Sequence, residues 1–169
     1  MPININNTTD TILLIDLSYF IFYRYFALQK WIKLSENTLN NDEFLEKYER
    51  LFVDHLKKII KKCKVTPQNT ILVGDCKRKD IWRNEVYTEY KSNRESTINQ
   101  NIFPHIINNV IPKLDKIQSY FSDNLEADDI ICIITKHIHN NIIILTNDND
   151  YLQLIKDNVN IINLPALKS

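Results

Sequence analysis

Three short apolar, β-branched runs each end on an aspartate or an aspartate-rich turn: TILLID at 11–16, TILVGD at 70–75 and NIIILTNDND at 141–150. Short apolar runs bounded by polar turns read as buried strands. The stretches between them carry apolar residues at helical spacing. Strands alternating with helices imply an α/β sandwich with a mostly parallel central sheet. In an open parallel sheet, ligands gather outside the carboxyl ends of the strands. The three acidic run ends therefore belong to one edge of one sheet.

The expected order is a strand at 11–17, an aromatic-rich helix at about 18–31, and an amphipathic helix at about 42–63. Phe44, Leu45, Tyr48, Leu51, Phe52, His55, Leu56 and Ile59 line one face of the latter, with Asp42 as its N-cap. A strand at 70–74, a polar basic segment at 76–97 and a helix interrupted by Pro104 and Pro112 follow. A weaker strand near Ile117–Phe121, a helix over 125–138, a strand at 142–146, a helical turn at 149–155 and a strand at 159–163 complete the chain. Residues 1–10 read as an N-terminal extension and 11–169 as a single domain, large enough for a real core.

Composition excludes more than it selects. Acidic and basic residues balance at 21 each, so net charge is silent about nucleic acid. Gly74 is the only glycine, which removes a P-loop or a dinucleotide-binding phosphate turn. No run is long enough for a transmembrane helix and no secretory signal is visible. Cys63, Cys76 and Cys132 are isolated, so they read as reduced thiols in an intracellular compartment.

The acids are Asp16, Asp75, Glu126, Asp128, Asp129, Asp148 and Asp150. Each alone has a bland reading: first-turn acids favoured by the helix dipole, or turn formers after strands. Together they place seven carboxylates at three strand ends and one helix start. Bare carboxylates so gathered repel one another, so a cation belongs among them. Oxygen-only donors select a hard ion, Mg²⁺ or Mn²⁺, over zinc.

The segment DCKRKDIWRNEVYTEYKSNRES at 75–96 is the second signal. Lys77, Arg78, Lys79, Arg83, Lys91 and Arg94 alternate with Trp82, Tyr87 and Tyr90. Its bland reading is a solvated face with snorkelling cations. Basic groups hold phosphates and aromatic faces stack on bases, which suits a single nucleic-acid strand. Beside an acidic strand end, this combination matches what phosphodiester hydrolysis requires.

At these residues the chain resembles the 5′-nuclease family of flap endonucleases, phage 5′→3′ exonucleases and polymerase-linked 5′-nuclease domains. ILLIDLSYFIFYRYFA (12–27), DIWRNEVYTEYKSNR (80–94), LEADD (125–129) and TNDNDYLQL (146–154) are similar to four family motifs, in the family's order. The resemblance implies a PIN-like three-layer sandwich with a helical arch over the active site. It implies a 5′→3′ exonuclease or flap endonuclease that hydrolyses DNA or RNA–DNA hybrids with a metal-activated water. By position, Asp16, Asp75, Glu126, Asp128 and Asp148 would hold a first Mg²⁺ or Mn²⁺, and Asp129 and Asp150 would lean toward a second. Lys91 and Arg94 would reach the scissile phosphate, supported by Arg83. Arg24, Lys77, Arg78, Lys79, Trp82, Tyr87 and Tyr90 would bind the nucleic acid.

The family continues past this point into a helix-turn-helix-like module carrying further metal ligands. That departure implies an incomplete second metal site and reduced activity, or a separate chain that supplies the duplex-binding module. DNA with 5′ ends or flaps is the expected partner, with no membrane. Two alternatives stand beside the nuclease: a DNA-end or flap-binding accessory protein, and a haloacid-dehalogenase-type phosphatase. The phosphatase needs a second Asp where this chain has Ser18.

Overall fold

The computed structural model describes residues 10–36, 38–87, 90 and 101–168. Five strands, β1 (Ile12–Asp16), β2 (Thr70–Val73), β3 (Gln118–Tyr120), β4 (Ile142–Leu145) and β5 (Val159–Ile162), form one sheet. Their order is β3-β2-β1-β4-β5 and every pairing is parallel. The helices are α1 (Leu17–Leu34), α2 (Asn41–Lys62), α3 (Arg83–Val86), α4 (Ile102–His105) and α5 (Ala127–His137). Chain order reverses between β1 and β4, so the crevice at their carboxyl ends is the topological switch point where ligands bind in such sheets.

Side-chain alternation along the strands builds two cores. Leu13, Ile15, Leu72 and Leu145 pack with Phe20, Tyr48, Phe52 and Ile102 from α1, α2 and α4. Ile12, Leu14, Ile71, Val73, Ile142 and Ile144 pack with Ile130, Ile131 and Ile134 of α5. With both faces covered, the inner strands β1, β2 and β4 need largely apolar residues along their length, which is why they read as continuous runs. Burying each such side chain contributes roughly 1.5–3 kcal/mol.

The helices begin and end for local reasons. Asp16 closes β1 and caps α1, its Oδ1 accepting the Tyr19 N–H at 3.0 Å. Asn40, rather than Asp42, caps α2. Its side chain accepts from the Asp42 and Glu43 amides, and Glu43 returns a bond to the Asn40 N–H. The short Asn40 amide reaches forward into the first turn, where Asp42 lies. Pro104 does not interrupt α4, because it sits in the first turn where its missing N–H costs nothing. The irregularity comes later, at the wide turn Ile106–Val110, where the Ile111 N–H reaches the Ile106 carbonyl. Pro112 opens the following 3-10 turn, Ile111–Lys113.

Residues 1–9 of the expected N-terminal extension lie outside the described residues, as does most of the expected arch, Lys91 and Arg94 included. Cys63, Cys76 and Cys132 form no disulfide. No helix among the described residues is long and apolar enough to cross a membrane.

Gly74 has a packing reason to be glycine. It joins β2 to Asp75, donates its N–H to the Tyr120 carbonyl at 3.0 Å, and a Cβ there would run into the Phe121 ring. Gly74→Ala is therefore expected to cost about 1–3 kcal/mol by overpacking, and much less in a Phe121→Ala background. Melting curves of the two single variants and the double variant measure the coupling. Equal losses in both backgrounds would show that the ring is not the obstacle.

Candidate active site

The strand register assembles the first part of the site. Ile15 pairs with Leu145, so Thr146 lies beside Asp16, and the Thr146 hydroxyl donates to Asp16 Oδ2 at 3.0 Å. Side-chain parity sends Asp16, Asp75 and Thr146 toward the α5 layer, like Leu14, Val73 and Ile144 before them. Asp75 is fixed from two directions. Its Oδ1 accepts the Ala127 N–H at the start of α5 at 2.8 Å, and its Oδ2 accepts the Ser18 hydroxyl at 2.6 Å. The Asp148 N–H donates to Thr146 Oγ1 at 3.2 Å, and Asp148 Oδ1 caps the next turn through the Asp150 N–H at 3.0 Å.

These groups line an open cleft of about 640 Å³ together with Tyr19, Glu126, Asp128, Asn149, Asp150 and Tyr151. Six of the seven acids singled out in the sequence thus share one cleft. Burial pushes the Asp16 carboxyl up to about 6, and the neighbouring Asp75 and Asp148 add to the shift against the hydrogen bonds from Tyr19 and Thr146. Burial likewise raises Asp128, with Asp129 and Glu126 adding to it. Burial and the surrounding carboxylates keep the Tyr151 phenol protonated.

Asp129 is placed differently. Arg83 forks onto it, Nη1 to Oδ2 at 2.6 Å and Nη2 to Oδ1 at 2.8 Å. The Trp82 indole N–H and the Glu126 amide also donate to Oδ2, at 3.1 and 3.3 Å. Burial opposes ionisation, yet the Arg83 and Trp82 hydrogen bonds hold Asp129 below the usual carboxylate range. The hydrogen bonds of Arg83 to Asp129 in turn raise its pKa. Asp129 borders a smaller depression of about 260 Å³ with Arg83, Asp128 and Asp150. Oxygens of Glu126, Asp128 and Asp129 do lie within 4.8 Å of one another.

The basic segment divides. Arg83 Nη1 and the Tyr90 hydroxyl each donate to Glu126 Oε2 at 3.0 Å, so this part of the segment touches the acids directly. Lys77 and Lys79 line a neighbouring cleft of about 620 Å³ with Asn84 and Ser122. Trp82 and Tyr87 are exposed. Arg24 lies two turns along α1, away from the cleft, where burial lowers its pKa and its Nε has no hydrogen-bond partner. Ser18, Thr146 and the Ala127 amide orient carboxylates but were not singled out from the sequence. The available signal was a hydroxyl residue two positions from an acid, in D-L-S and T-N-D.

The donors lining the cleft are oxygens, and burial together with the crowded negative charge raises Asp16. Both features suit a hard divalent cation. Asp16, Asp75, Glu126, Asp128, Asp148 and Asp150 present carboxylates to the cleft, and Glu126, Asp128 and Asp129 bring theirs close enough together to share an ion.

The model of the 5′-3′ exonuclease N-terminal resolvase-like domain matches residues 11–169. The chain belongs to this family. A family member from Mycoplasmopsis pulmonis (strain UAB CTIP), a 5′-3′ exonuclease, is 30% identical over 95% of this chain and 50% of its own length. A 5′-3′ exonuclease of Buchnera aphidicola subsp. Schizaphis graminum is 26% identical over 90% of the chain and 51% of its own. The chain spans about half the length of these curated relatives. Among solved structures of similar fold, the bacteriophage T5 5′-exonuclease with bound zinc superposes at TM-score 0.62 and 16% identity, over 93% of this chain and 56% of that one. The T5 flap endonuclease in a pseudo-enzyme-product complex with DNA and metal ions gives TM-score 0.62, 15% identity and the same coverage. The family's PIN-like three-layer sandwich is therefore the fold of this chain.

Proposed function

We propose that this chain is the catalytic domain of a Mg²⁺- or Mn²⁺-dependent 5′-nuclease that hydrolyses phosphodiester bonds at DNA 5′ ends or flaps. The observation that carries the reading is the six-carboxylate cleft at the switch point of the sheet. When bound, divalent metal stabilises charge on phosphoryl oxygens and lowers the pKa of the attacking water. The chain's residues supply placement. Thr146 and the Tyr19 amide hold Asp16, while Ser18 and the Ala127 amide hold Asp75. Arg83 and Tyr90 orient Glu126 through its Oε2. Lys77, Arg78 and Lys79 grip the phosphate backbone beside the cleft, and Lys91 and Arg94 act on the scissile phosphate.

Cleavage of a 5′-labelled flap with Mg²⁺, Mn²⁺ or EDTA tests the reading. Metal-dependent release of a fragment bearing a 5′-phosphate is expected. Tight flap binding with no cleavage in any metal would instead make the chain an accessory protein for DNA ends.

A second expected result needs no substrate. Metal that binds only the folded chain at about 100 times its Kd adds about 2.7 kcal/mol, which in a chain of this size raises Tm by about 5–10 °C. Thermal melts in EDTA, Mg²⁺ and Mn²⁺ read this directly. One melting temperature in all three, at millimolar metal, would count against a metal site.

A further inference from the structure

We propose that Asp129 is a positioning residue committed to Arg83, and not a ligand for a second metal ion. The inference rests on the nuclease reading above. Asp129 meets four donors: Arg83 Nη1, the Trp82 indole and the Glu126 amide converge on Oδ2, and Arg83 Nη2 bonds Oδ1, so the guanidinium engages both oxygens. Forked arginine–carboxylate pairs are the strongest and most directional of such contacts, so a cation would have to displace a charge already in place. Asp128, next to it, accepts the Asp129 N–H at 2.7 Å and lines the main cleft. The adjacent acids therefore divide the work: Asp128 faces the cleft and Asp129 anchors the basic segment.

The anchor has a second arm. Arg83 Nη1 bridges Asp129 and Glu126, so fixing the guanidinium also fixes Glu126 Oε2. The Trp82 ring centroid lies 4.9 Å and the Tyr90 ring centroid 5.7 Å from the guanidinium carbon, so two aromatic rings lie within cation–π reach of the charge. Through Arg83, Asp129 sets both where the middle of the basic segment sits and how Glu126 presents itself to the cleft.

The test compares Asp129→Asn, Arg83→Gln, their combination, Arg83→Lys and Asp128→Asn, each confirmed folded by a melting curve. In the full chain, calorimetric titration with Mn²⁺ is expected to find the wild-type number of ions bound to Asp129→Asn and Arg83→Gln, and weakened binding to Asp128→Asn. With Trp31→Phe leaving Trp82 as the only tryptophan, Asp129→Asn and Arg83→Gln should each shift its emission in Mg²⁺. In single-turnover flap cleavage, each should lose roughly 10–100-fold, and the double variant no more than the worse single. Arg83→Lys keeps the charge but not the fork, and should fail in the same way.

An Mn²⁺ ion lost from Asp129→Asn but kept by Arg83→Gln would overturn the assignment. So would multiplying rate losses, or full rescue by Arg83→Lys. If the wild-type chain cleaves nothing, the nuclease reading falls, while ion count and Trp82 emission still decide what Asp129 does.

Discussion

Asp148→Asn is expected to lower cleavage of a 5′ flap by at least about 10²–10³-fold while leaving the fold and DNA affinity near wild type. Asp148 lies in the turn after β4 and lines the cleft with Asp16 and Asp75. The substitution keeps an acceptor oxygen for the Asp150 N–H, so the turn it caps survives. It removes one formal charge from the group that would hold the metal, and its charge is among those that raise Asp16. The metal-free variant should therefore melt no lower than wild type, and its gain in Tm on adding Mg²⁺ should shrink. Cleavage at the wild-type rate, in protein shown free of contaminating nuclease, would remove this turn from the metal site.

Lys91→Ala is expected to lose about 10²–10³-fold in single-turnover rate with little change in Kd. Lys77→Ala should mainly weaken binding and flatten its dependence on salt. The two lysines flank the same segment but are proposed to meet different phosphates. Tyr90, immediately before Lys91, reaches Glu126 with its hydroxyl. Lys77 borders the neighbouring cleft with Ser122 and Asn124. A cation that meets charge developing at the reacting phosphate acts on the rate, and one on a remote phosphate acts on affinity. Rates and dissociation constants for both variants on one flap substrate decide the matter. Loss of affinity alone in both would reduce the segment to a general basic grip.

Much of this was legible because the site is built from strand ends. Asp16, Asp75 and Asp148 each follow a run too apolar to be anything but buried, and parallel strands covered on both faces bring their carboxyl ends to one edge. Asn40 was less legible: either Asn40 or Asp42 could cap α2, and the reciprocal bonds between Asn40 and Glu43 appear only in the folded chain. Arg24 illustrates the limit of position. It follows Asp16, which caps its helix, yet its place in the turn directs it toward α2, near Tyr48, and away from the cleft.

By itself the sequence determined the sheet class, the family motifs and the set of acids, because apolar runs and motif order are properties of the chain written in one dimension. The tertiary structure alone decided how those acids are divided. Asp128 and Asp129 are neighbours in sequence with the same chemistry, but successive positions on a helix are rotated about 100° apart. One faces the cleft, and the other meets Arg83, forty-six residues earlier in the chain. A contact between residues so far apart depends on packing that no local pattern encodes.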